Sequence, residues 1–228
     1  MTAPRTTVSR AAAPRAAGLV LAAGGSRRLG TPKQLLATAH RDDGATLVER
    51  AARALLDAGC TPVLVIVGSS GHAVRDAVSM LPVQCVENSH WERGMGTSIA
   101  CGVQRLAAPE FGPIDAVLIV SCDMPSVTTA HLRALIDAAP TGGERVASAY
   151  AGPDADADAE PVRGIPALLP RADWEALAAL DGDQGARALL RQAQTRTVLL
   201  PHGTFDLDTP ADVDRWRRAV TAGPPPAP

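Results

Sequence analysis

Along most of this chain, short runs of consecutive apolar residues alternate with stretches in which apolar residues recur every three or four positions. Residues 18–22 (GLVLA), 62–67 (PVLVIV) and 116–120 (AVLIV) are apolar at successive positions, so both faces of each strand must be covered, and 83–86 (VQCV) is a short further strand. Between them, residues 46–58, 71–80, 97–106 and 128–138 carry helical spacing, with Thr46 and Thr128 as expected N-caps and Gly59 as an expected stop. Strands covered on both faces and separated by helices predict an α/β, Rossmann-like three-layer sandwich around a mainly parallel sheet.

The second half is less regular. Residues 144–150 and 161–162 are expected strands, and they flank an acidic insert, 152–160 (GPDADADAE). The insert lacks the glycine and terminal glutamate of an EF-hand loop and is expected to be a solvated, flexible segment. Residues 174–180 and 185–192 predict helices, 197–200 a strand, and 210–220 a closing amphipathic helix. Residues 1–15 show no periodicity and are expected to be a disordered lead. Residues 221–228 (TAGPPPAP) can neither form helix nor pair, so the expectation is one domain over 16–220 with a loose tail.

Composition narrows the function classes. A net charge of −2 and only 3% aromatic residues provide neither the basic field nor the stacking platforms of a nucleic-acid binder. No apolar run approaches the roughly 18–20 residues that span a bilayer, and the N-terminus has no apolar h-region, so a cytoplasmic protein without membrane contact is expected. Cys60, Cys85, Cys101 and Cys122 form no CxxC pair and are expected to act as small hydrophobic residues. His40, His72, His90, His131 and His202 fall in loops or on helix surfaces and are read as structural.

The chemistry points elsewhere. The first strand, which includes Leu21 and Ala22, runs into Ala23, Gly24, Gly25 and Ser26, and the loop closes at Gly30. At the carboxyl edge of a parallel sheet, such a loop presents backbone N–H groups to a ligand, and glycine lets the backbone approach a phosphate. Arg27, Arg28 and Lys33 add the charge a triphosphate needs. Thr31-Pro32-Lys33 rules out a Walker loop, and the glycine spacing rules out GxGxxG. Asp123 ends the 116–120 strand and points into the same crevice, where one carboxylate or two, with phosphate oxygens, would suit magnesium. Asp208 is the expected second ligand, with Asp206 as the alternative. The helix opened by Gly94-Met95-Gly96-Thr97-Ser98 offers N–H groups and the Ser98 hydroxyl to a phosphate or base.

The segment 21–36 (LAAGGSRRLGTPKQLL) resembles the signature of the MobA-like nucleotidyltransferases, and within them it is most similar to the molybdenum cofactor cytidylyltransferases. Further segments resemble later blocks of that family in order: 88–98 (NSHWERGMGTS), 121–125 (SCDMP), 164–166, 182–187 (GDQGAR) and 206–210 (DLDTP). The resemblance implies the nucleotide-diphospho-sugar transferase fold and magnesium held by Asp123 and Asp208. It also implies transfer of a nucleotidyl group to the phosphate of molybdenum-charged molybdopterin, with release of pyrophosphate.

In this reading Arg28, Lys33 and Asp123 are catalytic. The nucleotide is held by Leu21, Ala22, Ala23, Gly24, Gly25, Ser26, Gly30, Lys33, Asn88, Gly94 and Ser98; it is the resemblance that places Asn88 in the pocket. Trp91 is expected to pack, and residues 183–187 to meet either the second substrate or another subunit. A molybdoenzyme or its chaperone is the implied transient partner. Ala23, where the guanylyl branch tends to glycine, favours CTP through a single methyl worth about 1–3 kcal/mol. A transferase for another phosphorylated acceptor, a guanylyltransferase, and a non-catalytic cofactor-binding chaperone remain as alternatives.

Overall fold

The structure is a computed structural model that describes residues 14–38, 44–150, 161–201, 203 and 206–222. Most of the expected lead, the acidic insert, His40 and His202 therefore lie outside the described residues. Seven strands form one sheet in the order β3-β2-β1-β4-β6-β5-β7. They are β1 (Ala16–Ala22), β2 (Val63–Val67), β3 (Gln84–Glu87), β4 (Ala116–Ser121), β5 (Val146–Tyr150), β6 (Val162–Pro170) and β7 (Arg196–Leu199). β1 to β4 are mutually parallel wherever they pair, β6 runs antiparallel to both β4 and β5, and β7 is parallel to β5.

The strand periodicity of two sorts β1 between two cores. Val20 and Ala22 face α1 (Leu47–Asp57), α2 (Gly71–Ala77) and α4 (Thr129–Asp137). Ala17, Leu19 and Leu21 face α3 (Met95–Leu106), α5 (Trp174–Ala178) and α6 (Arg187–Leu190). Leu19, Leu64, Ile66, Leu118 and Ile119 are fully buried, each contributing about 1.5–3 kcal/mol of apolar transfer. Gly102 lets α3 come close to the sheet, since a Cβ there would fall 2.3 Å from Leu19 Cδ1. Thr46 caps α1 in a reciprocal box with Glu49, and the Thr128 hydroxyl accepts from the His131 N–H. The closing helix α7 is Pro210–Ala222, so it extends into the segment read as tail.

Two expectations need correction. A strand was expected only at 161–162, but β6 extends to Pro170 and is central to the second half of the sheet. Pro166 masks it in the sequence, because proline cannot donate to a ladder. The structure accommodates Pro166 at an irregularity: pairing moves from Ala147↔Ala167 to Ser148↔Gly164, leaving residues 165 and 166 out of the ladder. The helices expected at 71–80 and 185–192 are shorter, ending at Ala77 and confined to Arg187–Leu190. Met80, read as an apolar helix position, is 92% exposed, and Gly182 and Gly185 take positive φ ahead of α6.

The cysteines are all free; Cys60 and Cys122 are buried, whereas Cys85 and Cys101 are half-buried. Burial pushes the Cys60 thiol up to about 12, which keeps it an inert packing group.

Candidate active site

The parallel strands β1 and β4 end side by side, and their C-terminal ends form the floor of a cleft of about 270 Å³. Leu21, Ala22, Ala23, Gly24, Gly25, Lys33, Gly94, Ser98 and Asp123 line it, joined by Arg27, Gln34, Trp91, Met95, Ser121 and Asp183. Sequence segments separated by more than 80 residues thus converge where an open α/β sheet is expected to bind a ligand.

The loop after β1 is shaped by its own polar side chains. Ser26 has φ 48°, an unusual conformation for a residue other than glycine. Its carbonyl accepts from the Leu29 and Gly30 N–H groups, and its hydroxyl accepts from the Lys33 N–H at 2.9 Å. Gly30, at φ 74°, closes the turn. Neither residue lines the cleft; both set the course of the backbone that does. Gln34 is 1% exposed, and its amide donates to Ala22 O at 3.0 Å and Gly24 O at 2.6 Å. That clamp was missed from sequence. The available signal was a lone glutamine directly after the loop lysine and before an apolar pair.

Lys33 Nζ donates to Asp123 Oδ2 and, at 2.9 Å, to Asp208 Oδ1. Burial alone would lower the Lys33 pKa, but the Asp123 charge and the bonds to both carboxylates outweigh it, raising the pKa and fixing the ammonium. For Asp208, burial works against ionisation, yet Lys33 and Arg28 hold its pKa below the usual carboxylate range. Arg28 Nη2 reaches Asp208 Oδ2 at 2.6 Å, and Arg27 pairs with Glu92 at 3.5 Å. Ser121 Oγ, also unforeseen, donates to Asp123 Oδ1 and fixes that carboxylate.

The alternation in Asp206-Leu207-Asp208 places Asp208 on Lys33. Leu207 is buried against Leu47 and Trp216, and its N–H donates to Asp123 O. Asp206 faces an adjoining recess shared with Met95, Ser121, Asp123, Asp183, Gln184 and Arg187. Asp206 is exposed on the wall of that recess. Desolvation there, with the Asp123 and Asp208 charges, raises its pKa to about 7.

Asn88 is brought beneath the α3 N-terminus rather than into the cleft lining. Its amide donates to Thr97 Oγ1 at 2.9 Å and Ser98 Oγ at 3.0 Å, and its Oδ1 accepts from the His90 N–H. Ala23 is 4% exposed, and its methyl lies beside Gly68 at the end of β2. The half-buried Trp91 packs its ring against Gly25 and Gly68 and also lines the cleft. The turn at the start of α3 is locked to the 181–183 loop: Gly96 N–H donates to Gly182 O, Arg93 pairs with Asp181, and Gly94 has φ 120°.

A divalent cation fits this donor set. Two carboxylates from different segments aim at one point, now held by the Lys33 ammonium, beside a loop whose N–H groups suit phosphate oxygens. Among the described residues no group of three or more His, Cys, Asp or Glu forms a ready cage.

Residues 18–198 match the MobA-like NTP transferase domain. The chain belongs to this family. Its fold is that of the nucleotide-diphospho-sugar transferases, with a mixed, mostly parallel sheet. It is 34% identical over 205 residues to the nicotine blue oxidoreductase of Paenarthrobacter nicotinovorans, covering 88% of this chain and 93% of that protein. It is 30% identical over 211 residues to a probable molybdenum cofactor guanylyltransferase of Opitutus terrae, covering 89% and 95%. The manganese complex of Rv0371c from Mycobacterium tuberculosis superposes with a TM-score of 0.66 at 27% identity, covering 90% of this chain and 99% of that one. Among the described residues, no helix is long and apolar enough to cross a membrane.

Proposed function

We propose that this MobA-like protein transfers a cytidylyl group from CTP to the phosphate of a molybdopterin acceptor, with magnesium and with release of pyrophosphate. The observation that carries the reading is the convergence of Asp123 and Asp208 on Lys33 Nζ beneath the Ala23–Ser26 loop. A pure nucleotide carrier has no need of paired carboxylates at that point. The manganese bound by the Rv0371c relative and the name of the Opitutus relative support a divalent ion and a molybdenum cofactor acceptor.

In this reading the backbone N–H groups of residues 23–25 hold the triphosphate, with Lys33 and Arg28 countering its charge. Asp123 and Asp208 hold magnesium, which when bound supplies charge neutralisation at the α-phosphate. An acceptor phosphate oxygen attacks the α-phosphorus, and the bond to the bridging oxygen breaks as pyrophosphate leaves. A phosphate monoester is already largely ionised near pH 7, so the step requires no protein base. The adjoining recess, with Arg187 and Gln184, is the acceptor side because it shares Asp123 and Ser121 with the nucleotide cleft.

GTP is the second reading for the donor, favoured by the guanylyltransferase name of the Opitutus relative. Ala23 favours CTP: exchanging its methyl for hydrogen would widen the loop beside Gly68. A thermal-shift panel of CTP, GTP, ATP and UTP with magnesium decides. The preferred nucleotide at about 100 times its Kd should stabilise the fold by about 2.7 kcal/mol. A larger shift with GTP would overturn the cytidylyl assignment. A shift with none of the four would overturn the transferase reading, and a reduced nicotinamide dinucleotide belongs in the panel because one relative is named an oxidoreductase.

A further inference from the structure

The cations of the phosphate loop are each held by a carboxylate: Arg27 by Glu92, Arg28 by Asp208, and Lys33 by both Asp123 and Asp208. The outer pairs are solvent-exposed and weak, whereas the Lys33 and Asp123 side chains are only 17% and 11% exposed. In that inner cluster, one ammonium lies at the point toward which two carboxylates aim.

We propose that Lys33 is an exchangeable internal counter-ion, so that a nucleoside triphosphate and a divalent cation can enter this site efficiently only together. The inference rests on the nucleotide reading above and adds a binding order to it. Nucleotide alone would draw Lys33 and Arg28 toward phosphate and leave Asp123 and Asp208 close together without a cation. Metal alone would seat a dication beside the displaced Lys33 ammonium. Each half-exchange leaves an unpaired charge at the largely buried Lys33–Asp123 position, which is unfavourable. The double exchange pairs every group: cations with phosphate oxygens, carboxylates with metal. The coupling is therefore positive and, as a binding free energy, reciprocal.

The geometry also says why the exchange centres on Lys33. Its side chain starts from a backbone N–H fixed to Ser26 Oγ, so the residue remains anchored to the loop while its flexible stem swings. Asp123 is held from the other side by Ser121 Oγ and cannot follow. The lysine moves and the carboxylate waits.

The test uses metal-stripped full-length protein with Mn²⁺ as the probe, followed by electron paramagnetic resonance, and CTP binding by calorimetry, with GTP in a parallel arm. Wild type should bind Mn²⁺ alone weakly, and should bind the preferred nucleotide at least about tenfold more tightly with Mn²⁺ than in chelator. Lys33→Met, verified as folded by circular dichroism, should bind Mn²⁺ alone at least about tenfold more tightly than wild type, because the carboxylates lose their internal cation. It should also lose most of the coupling. Equal Mn²⁺ affinity in the two proteins, or equal wild-type nucleotide affinity with and without metal, would overturn the proposal. If Lys33→Met does not fold, the wild-type comparison alone decides. Failure of the nucleotide reading has a different signature: neither CTP nor GTP binds under either condition.

Discussion

The Leu207 N–H donates to the Asp123 carbonyl oxygen at 3.2 Å, joining the end of β4 to a segment 84 residues later in the chain. This single backbone bond sets the phase of the Asp206-Leu207-Asp208 alternation. Leu207 turns into the small core with Leu47 and Trp216, and Asp208 turns onto Lys33. The Asp123–Asp208 pair is thus assembled by the end of β4 and a packed leucine, with Ser121 Oγ fixing the first carboxylate and Lys33 joining the two.

Asp123→Ala should abolish most metal-dependent turnover, by roughly two orders of magnitude or more, while leaving the sheet folded. Pyrophosphate release measures it, with circular dichroism as the control. A variant with wild-type pyrophosphate release would remove Asp123 from the metal role.

Ser26 is strained, and it also caps the Lys33 N–H. Ser26→Ala keeps the strain and loses the bond, whereas Ser26→Gly loses the bond but relieves the strain. Alanine should therefore be less stable than glycine by about 1–2 kcal/mol. Denaturant melts of the two variants give the comparison directly, and the reverse order would contradict the account of the loop.

Gly94→Ala should lower both stability, by about 2–4 kcal/mol, and nucleotide affinity. Its Cβ would fall 2.4 Å from Asp183 Oδ1 and 2.5 Å from Gly182 C, at φ 120°. Gly112→Ala is the matched control: positive φ of 65° but open space around the new methyl, and no part in the cleft. It should cost about 1 kcal/mol and leave affinity unchanged. Similar affinity losses in both would mean that the 181–183 latch does not order the site.

His131 is 8% exposed, with Nε2 against Ser148 Oγ at 2.7 Å, and burial lowers its pKa. Ser148 donates its own proton to Pro166 O, so His131 Nε2–H is the donor to Ser148. Below the ordinary histidine value of about 6.5 the unfolded chain binds the extra proton first, so stability is full above that pH and declines as pH falls toward the lowered folded value. His131→Gln should be less stable at pH 7.5 but lose less on acidification to pH 5.5. An unchanged pH slope would assign the acid sensitivity to other groups.

Much of the fold was legible because strands buried on both faces must be continuously apolar. The runs 18–22, 62–67 and 116–120 betray β1, β2 and β4 without any tertiary knowledge, and they lie together in the parallel half of the sheet. β6 was hidden because Pro166 breaks the local rule, and the bulge that excuses it exists only once β5 lies alongside. That Gly24, Gly25, Lys33 and Asp123 share one cleft was likewise legible, because the loop follows β1, Asp123 follows β4, and the ends of parallel strands open on the same edge of the sheet.

Residue types along the chain already supply the charged groups of the cleft: a glycine-rich loop with Arg27, Arg28 and Lys33, and acidic residues at 123, 206 and 208. Which of them meet is settled by packing between distant segments. Asp208 rather than Asp206 reaches Lys33, Asn88 spends its amide under α3, and Gln34 clamps the loop from within. The reason is physical: residue type fixes charge and hydrogen-bonding capacity locally, whereas distance and desolvation depend on packing between segments far apart in the chain.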